Sequence, residues 1–290
     1  MIEVYILNLV IFISIYMLTS VSFNLSFGQT GLLNLAHISF FGLGAYTSAI
    51  LSLRGTPFFL ALLLSGLMPM IFAFILSLVN RKLKGDYFTL ATLAFAILSY
   101  NIVLNSVELT GGPHGLRNIP KPIIFGLDFN NIFLYAIFTV FLTLMGVFFI
   151  HRIAKSSFGR VCLAIRDNND LAESLGKNTF KIKVIVLLVA SFLTGVAGCL
   201  YASYVTFIDP TVFDAMEMIT ILAIVVLGGL ASIKGTIVGT FIILMVPEIL
   251  RFLDISTAII GPLRVLLYSL ILLVIIYYKP RGLYGKIAIE

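Results

Sequence analysis

Arg160–Asn178 reads RVCLAIRDNNDLAESLGKN, the longest polar interruption with helical signals of its own in an otherwise apolar chain. Asp170 is placed to cap a short helix by accepting from a free backbone N–H of the first turn. Glu173, three residues on, can reach back to complete the box, with Asp in place of the usual Ser or Thr. Gly176 supplies the left-handed residue that ends it. Between these signals only Leu171, Ala172, Ser174 and Leu175 remain, barely more than one turn, and such a helix does not hold alone in water. Upstream, Val161, Ala164 and Ile165 share one helical face and Arg166 sits on the other. A short helix with small apolar knobs, held between membrane spans, suits insertion into a groove on another protein. The plainer alternative is a solvated loop joining two spans.

The surrounding composition makes these spans membrane spans. The 290 residues are 60% hydrophobic and only 11% charged, against roughly 45–50% apolar residues in soluble domains even with glycine counted. The formal charge of +6 comes from Lys and Arg gathered in short loops beside apolar runs, which is a membrane pattern. No basic stripe with interleaved aromatics accompanies it, which argues against a nucleic-acid partner. The first apolar segment is too long and too poorly flanked by basic residues for a cleaved signal peptide. Cys162 and Cys199 make no disulfide framework and no metal spacing, and read as small apolar residues.

A spanning helix needs about 20 mostly apolar residues. Nine segments qualify: 4–23, 33–53, 58–79, 87–107, 131–150, 183–206, 212–230, 236–252 and 262–278. The expected fold is therefore all-α, a single polytopic domain over 1–290 with eight to ten transmembrane helices. With residues 151–182 placed in the cytoplasm, alternation puts the N-terminus and the main loop 108–130 outside and the C-terminus inside. Of the nineteen Lys and Arg, all but Arg54, Arg117, Lys121, Arg251 and Arg264 then fall inside, as the positive-inside rule requires.

Two apolar segments are interrupted. Gly28, Gly31, Gly42 and Gly44 bracket a run that carries Asn34, His37 and Ser39, and Gly228-Gly229 precedes Gly235 and Gly239. Polar groups at membrane depth are costly unless they face protein or a wet cavity, and glycine allows close helix contact or a break. These positions are candidates for lining a pathway between inverted repeats; for His37 a hydrogen-bonded packing role is the alternative. Thr110, Gly111, Gly112 and Gly115, with Pro113, make a shaped loop at an external mouth or a simple turn. Asp86 suits the start of the fourth span. Glu248 and Arg251, at i and i+3, can pair on one face. No phosphate loop, H-E-x-x-H or G-x-S-x-G occurs, and the three histidines are scattered. With few acids inside the spans, a passive channel for small neutral solutes and transport driven by a partner both stay open. A membrane-bound enzyme lacks converging catalytic groups.

Several runs carry a likeness to a family. Ala164-Ile165-Arg166-Asp167-Asn168, with Ala172 and Gly176-Lys177-Asn178, resembles the cytoplasmic coupling segment of permease subunits of branched-chain amino acid ABC importers. Gly31-Leu-Leu-Asn34-Leu-Ala-His37 through Tyr46 is similar to that family's second-segment signature. Thr110-Gly111-Gly112 with Gly115, Val226-Leu227-Gly228-Gly229, and the Pro-Arg-Gly-Leu-Tyr-Gly end also match, so the resemblance covers nearly the whole chain. The Ala-Ile-Arg-Asp form is similar to the second of the two permease kinds. The coupling loop of many ABC importers has Glu-Ala-Ala followed by Gly; here only Ala172, Glu173 and Gly176 echo it. The resemblance implies a second permease, two cytoplasmic ATPases on the coupling loops (Arg166, Asp167, Asn168, Asp170, Ala172, Glu173, Gly176), an external substrate-binding protein, a prokaryotic inner membrane and no cofactor. Related systems carry urea or short amides.

The topology is checked by cysteine labelling in intact cells. In a chain freed of Cys162 and Cys199, an impermeant thiol reagent is expected to modify His114→Cys and to spare Asn168→Cys; labelling at 168 from outside reverses the orientation.

Overall fold

The computed structural model describes residues 2–80, 85–124, 127–251, 257–279 and 281–285. Helix α1 (Ile2–Thr30) leads to α2 (His37–Leu53), α3 (Phe58–Asn80) and α4 (Asp86–Asn105). One-turn α5 (Val107–Thr110), a 3-10 turn at Gly112–His114 and a two-residue antiparallel pairing of β1 (Ile123–Ile124) with β2 (Leu127–Asp128) follow. Then come α6 (Ile132–Lys155), α7 (Ser157–Asp167), α8 (Asn169–Ser174), α9 (Thr179–Val205), α10 (Ala215–Gly228), α11 (Ile233–Arg251) and α12 (Thr257–Tyr278). Seven helical stretches among the described residues are long and apolar enough to cross a bilayer; α2 and the Gly261–Ile275 part of α12 are shorter apolar helices. Together they fall on the nine expected segments.

The boundaries differ where polar residues are buried. The first helix, expected to end at 23, runs on to Thr30. Ser26 and Thr30 return their hydroxyls to the carbonyls of Phe23 and Ser26, and Asn24 and Gln29 are buried against other segments. The second is shorter than 33–53, since residues 31–36 leave the helix at Gly31, whose φ is +71°. Its 17 residues rise about 25 Å, short of the roughly 30 Å hydrocarbon layer. The loop 108–130 is irregular as expected, except that its first residues finish α5. Asp86 stands in the first turn of α4, favourable to its N-terminus. Arg81, Lys82, Lys84 and Lys286, four of the inside charges, lie outside the described residues, as does the side chain of Arg251 and with it the Glu248–Arg251 pairing.

Helix α9 is the centre of the packing, against α1, α2 and α3. Glycine makes this possible by close approach. A Cβ at Gly195 would lie 2.1 Å from the Ser65 carbonyl oxygen, and one at Gly198 2.1 Å from that of Phe41. Ser65 is four residues before Pro69, which has no N–H to return to it, so α3 offers α9 a bare carbonyl. A second group joins α10, α11 and α12. There Pro247 leaves the Ile243 carbonyl without its helical donor, and the Tyr268 hydroxyl donates to it at 3.2 Å. Side chains such as Leu63, Phe74, Leu98, Phe141, Leu144 and Phe148 turn outward, the surface that a lipid solvent accepts.

Gly195→Val overpacks the α3–α9 contact, so loss of monodisperse protein in mild detergent is expected on size-exclusion chromatography. Gly261→Val, where nothing among the described residues lies within 4 Å, is expected to leave the profile unchanged.

Candidate functional site

The residues singled out in the sequence meet mainly at one end of the bundle, beneath the 160–178 stretch. Ser156 caps α7, its hydroxyl accepting from the Gly159 N–H at 3.3 Å. The buried face of α7 is Gly159, Cys162 and Ile165, while Ala164 is exposed. This corrects the expected face of Val161, Ala164 and Ile165. The reason is Arg166: instead of pointing away, its guanidinium donates to the Gly28 carbonyl in the last turn of α1. Terminal helix carbonyls lack internal donors and carry the negative end of the dipole, so a cation there is doubly favoured. The Arg166 stem also lies 3.3 Å from where a Cβ on Gly31 would stand, with φ already left-handed. Burial pulls the Arg166 guanidinium below its ordinary pKa, partly offset by Asp167. Burial also pushes the Cys162 thiol up to about 12, which leaves it protonated and unreactive at neutral pH.

Helix α8 is capped by Asn168, whose Oδ1 accepts from the Leu171 N–H at 2.9 Å. The expected cap, Asp170, lies inside the first turn. Glu173 closes no box; it accepts from the Asn169 amide and the Thr179 hydroxyl, tying α8 to the start of α9. Gly176, at φ +78°, ends the helix as expected. Its N–H donates to the Glu173 carbonyl at 2.9 Å, and the Lys177 N–H to that of Ala172 at 3.1 Å, the paired bonds of a Schellman turn. Ala172 is buried, Asp167 is exposed, and Leu171 and Leu175 are 60% and 72% exposed, four residues apart.

Both helix breaks adjoin the end of α1. In the first, Asn34 Oδ1 accepts from the Ala36 N–H at 3.0 Å, and Thr92 of α4 accepts from the Leu35 N–H at 3.0 Å. In the second, Asn24 of α1 accepts from the Ala231 N–H at 3.0 Å and donates to the Ser232 carbonyl at 3.2 Å and the Thr236 hydroxyl at 2.6 Å. Ala231 holds φ +60° there. Leu283 and Tyr284 of the tail donate to the Leu227 and Gly228 carbonyls, closing the C-terminus of α10. Since α1 and α10 both run into this end, the two breaks correspond in parallel, and an inverted relation has to be sought in other elements.

The remaining candidates are enclosed. His37 is fully buried; its Nε2 lies 3.1 Å from Ser22 Oγ, 2.8 Å from Thr194 Oγ1 and 3.1 Å from the Thr19 carbonyl. The His37 Nδ1, Asn34 Nδ2 and Ser39 Oγ atoms are buried without a hydrogen-bond partner among the described residues. Cβ atoms at Gly42, Gly44 and Gly228 would meet the Phe213 ring, the Gly195 carbonyl and the Gly235 carbonyl at 2.3 Å each; at Gly229 one would meet the Gly285 nitrogen at 2.2 Å. At the opposite end, Thr110 donates to the Val103 and Ser106 carbonyls and accepts from the Gly112 N–H. Gly111 ends α5 in the left-handed region, and Gly115 sits flush against Ile208, where Leu116 and Ile208 exchange backbone bonds.

The sequence reading missed a group of charges. Glu217 of α10 pairs with Arg264 of α12, and Tyr16 of α1 donates to Glu217 at 3.2 Å. Glu248 of α11 accepts from Tyr5. The sequence spacing offers Arg251 as the partner of Glu248 and none for Glu217 or Arg264, and nothing in it joins positions 47 apart.

Spanning helices, a stub tethered to the end of one of them and two broken spans beside it are the parts of a multi-pass membrane permease. The chain belongs to the family described as branched-chain amino acid transport system, permease component, whose model matches residues 5–277. It is 32% identical to the high-affinity branched-chain amino acid transport system permease protein LivM of Escherichia coli K12, over 93% of this chain and 67% of that one. Identity to the probable LivM of Methanocaldococcus jannaschii is 24%, over 95% and 92% of the two chains. To LivH of Salmonella typhimurium it is 26%, over 96% and 93%. No solved structure matches.

Arg166→Met removes the bond to Gly28, a hydrogen bond to a charged group, of the kind that contributes about 1.5–3 kcal/mol. Cys162, sealed under α7, is then expected to alkylate faster at pH 8, and amide exchange to rise over 157–167 and 26–34 but not in α9. Unchanged protection shows that α7 is held by its apolar face alone.

Proposed function

We propose that this chain is one of two permease subunits of an ATP-driven importer, forming with the second permease the membrane path for branched-chain amino acids. The reading is supported by family membership and by relatives whose names assign them to branched-chain amino acid transport. On this reading residues 151–182 are cytoplasmic, 108–130 are external, ATP hydrolysis belongs to two separate subunits, and a binding protein delivers the solute from outside. The chain itself carries out no catalysis and needs no cofactor.

The observation that carries the coupling role is the exposure of Leu171 and Leu175 on a helix capped at both ends. Two leucines one turn apart on a polar stub make the apolar face of a helix that lies in a groove. Because α7 is anchored to α1 through Arg166, a push on α8 reaches the membrane spans.

Asn168→Ala removes the cap at a cost of about 1 kcal/mol. Gly176→Val costs more, since a β-branched residue resists the left-handed conformation, and nothing lies within 4 Å of the added Cβ. Both variants are expected to insert and to keep the second permease while the copurified ATPase and solute-stimulated hydrolysis fall, Gly176→Val more than Asn168→Ala. Full ATPase binding and unaltered transport with Gly176→Val make this stretch a connector only.

A further inference from the structure

A cavity of about 440 Å³ lies between α1, α10, α11 and α12, within the range of about 300–1,000 Å³ usual for small-molecule sites. Its walls come from α1 between Tyr5 and Tyr16, midway along that helix, from Tyr201 of α9, from the first turns of α10, from α12 at Arg264 and Tyr268, from the end of α11 and from the linker at Thr211 and Val212. Glu217 and Arg264 face each other across α10 and α12, their side chains 18% and 33% exposed. Tyr16 donates to Glu217, and Glu248 stands on the α11 wall with Tyr5. Leu9, Phe12, Val212 and Leu244 are the apolar part of the wall, which Asn8, Thr211, Thr220 and Tyr268 also line.

We propose that this cavity is a binding site for a free zwitterionic amino acid with an apolar side chain, taking the solute before it crosses. The inference deepens the importer reading and rests on it. Charge balance selects the ligand. The wall carries two carboxylates, Glu217 and Glu248, and one guanidinium, Arg264, so a lone anion meets both carboxylates and a lone cation meets the guanidinium, and an uncompensated buried charge is costly. A purely apolar solute displaces water from the carboxylates, the guanidinium and the hydroxyls and returns no hydrogen bond. A zwitterion inserts between the two charges without changing the net charge, its carboxylate on Arg264 and its ammonium on Glu217, with Glu248 as a second acceptor. Its side chain then lies along Leu9, Phe12, Val212 and Leu244. The rival role for the pair is a staple between α10 and α12.

The test uses the whole complex of permeases and ATPases in nanodiscs, without binding protein, and radiolabelled leucine in equilibrium dialysis. Leucine is expected to bind. Leucinamide, which lacks the carboxylate, and 4-methylpentanoate, which lacks the ammonium, should compete roughly tenfold or more less well than valine. Arg264→Gln and Glu217→Gln should each weaken leucine binding by a similar factor. If these variants fail to assemble, Val212→Phe decides, because it takes up cavity space at a lining position and leaves the pair intact. No leucine binding to the unmutated complex at millimolar concentration overturns the proposal, as does binding unaffected in every variant that assembles. Uptake into proteoliposomes with ATP and binding protein separates the two readings. If the unmutated complex imports no branched-chain amino acid, the importer reading fails; if it imports and the variants leave leucine binding and KM unchanged, only the site fails.

Discussion

In a bilayer no water is at hand to pair a free backbone group, so every departure from the helix must be answered by the protein itself. Two of the departures among the described residues, at 31–36 and 229–232, are answered by neutral side chains from other helices. Thr89 and Thr92 of α4 serve the Leu33 carbonyl and the Leu35 N–H. Asn24 and Gln29 of α1 serve the Ala231 N–H and carbonyl and the Ser232 carbonyl. Asn24 works because an amide donates and accepts at once; a hydroxyl on the same turn would reach too little of the broken segment. The same constraint explains the proline sites, where Tyr268 pairs the carbonyl freed by Pro247 and Gly195 closes over the one freed by Pro69.

A break satisfied by another helix is also a joint. The last turns of α1 hold the second break through Asn24 and Gln29, run directly into the first, and carry Arg166 on the Gly28 carbonyl. The 160–178 stretch is thus fixed to the one segment that both broken spans share. Rigid elements with discrete packing arrangements are what carry coupling over distance. Here the fixed part is α7 and the reaching part is α8, whose leucines remain uncovered.

The lipid constraint is also what made the fold legible. Nine apolar runs stand out because a span tolerates so few polar residues, and glycines flanking Asn34 and His37 marked the first break before any coordinates. What failed was local choice. Asn168 and Asp170 are both good caps, and it is Asn168 that leaves the helix and accepts from the Leu171 N–H, while Arg166 is drawn to α1, a contact 138 residues away in sequence. The helical face of α7 was misread for the same reason: an arginine was assumed to face water. The pathway glycines gave a correct signal of close approach, but composition does not distinguish a glycine facing solute from one against a neighbouring backbone. At Gly44 and Gly228 the neighbour is backbone.

The distribution of polarity bears on where the driving force enters. The deepest polar groups, Thr19, Ser22, His37 and Thr194, form one cluster of hydroxyls around an imidazole, with no carboxylate bonded to it. Arg166 lies at one end, Glu217 and Arg264 meet Tyr16 about midway along α1, and Glu248 meets Tyr5 near its start. On the importer reading proposed above, work is delivered mechanically at the Arg166 end. Helix α1 is suited to deliver it. From Gly28, under Arg166, it passes Ser22 and Thr19 at the hydroxyl cluster, then Tyr16, Phe12, Asn8 and Tyr5 along the cavity. Those 23 steps at 1.5 Å make a rod of roughly 35 Å. On that reading a tilt imposed at Arg166 moves the wall that faces Glu217 and Arg264.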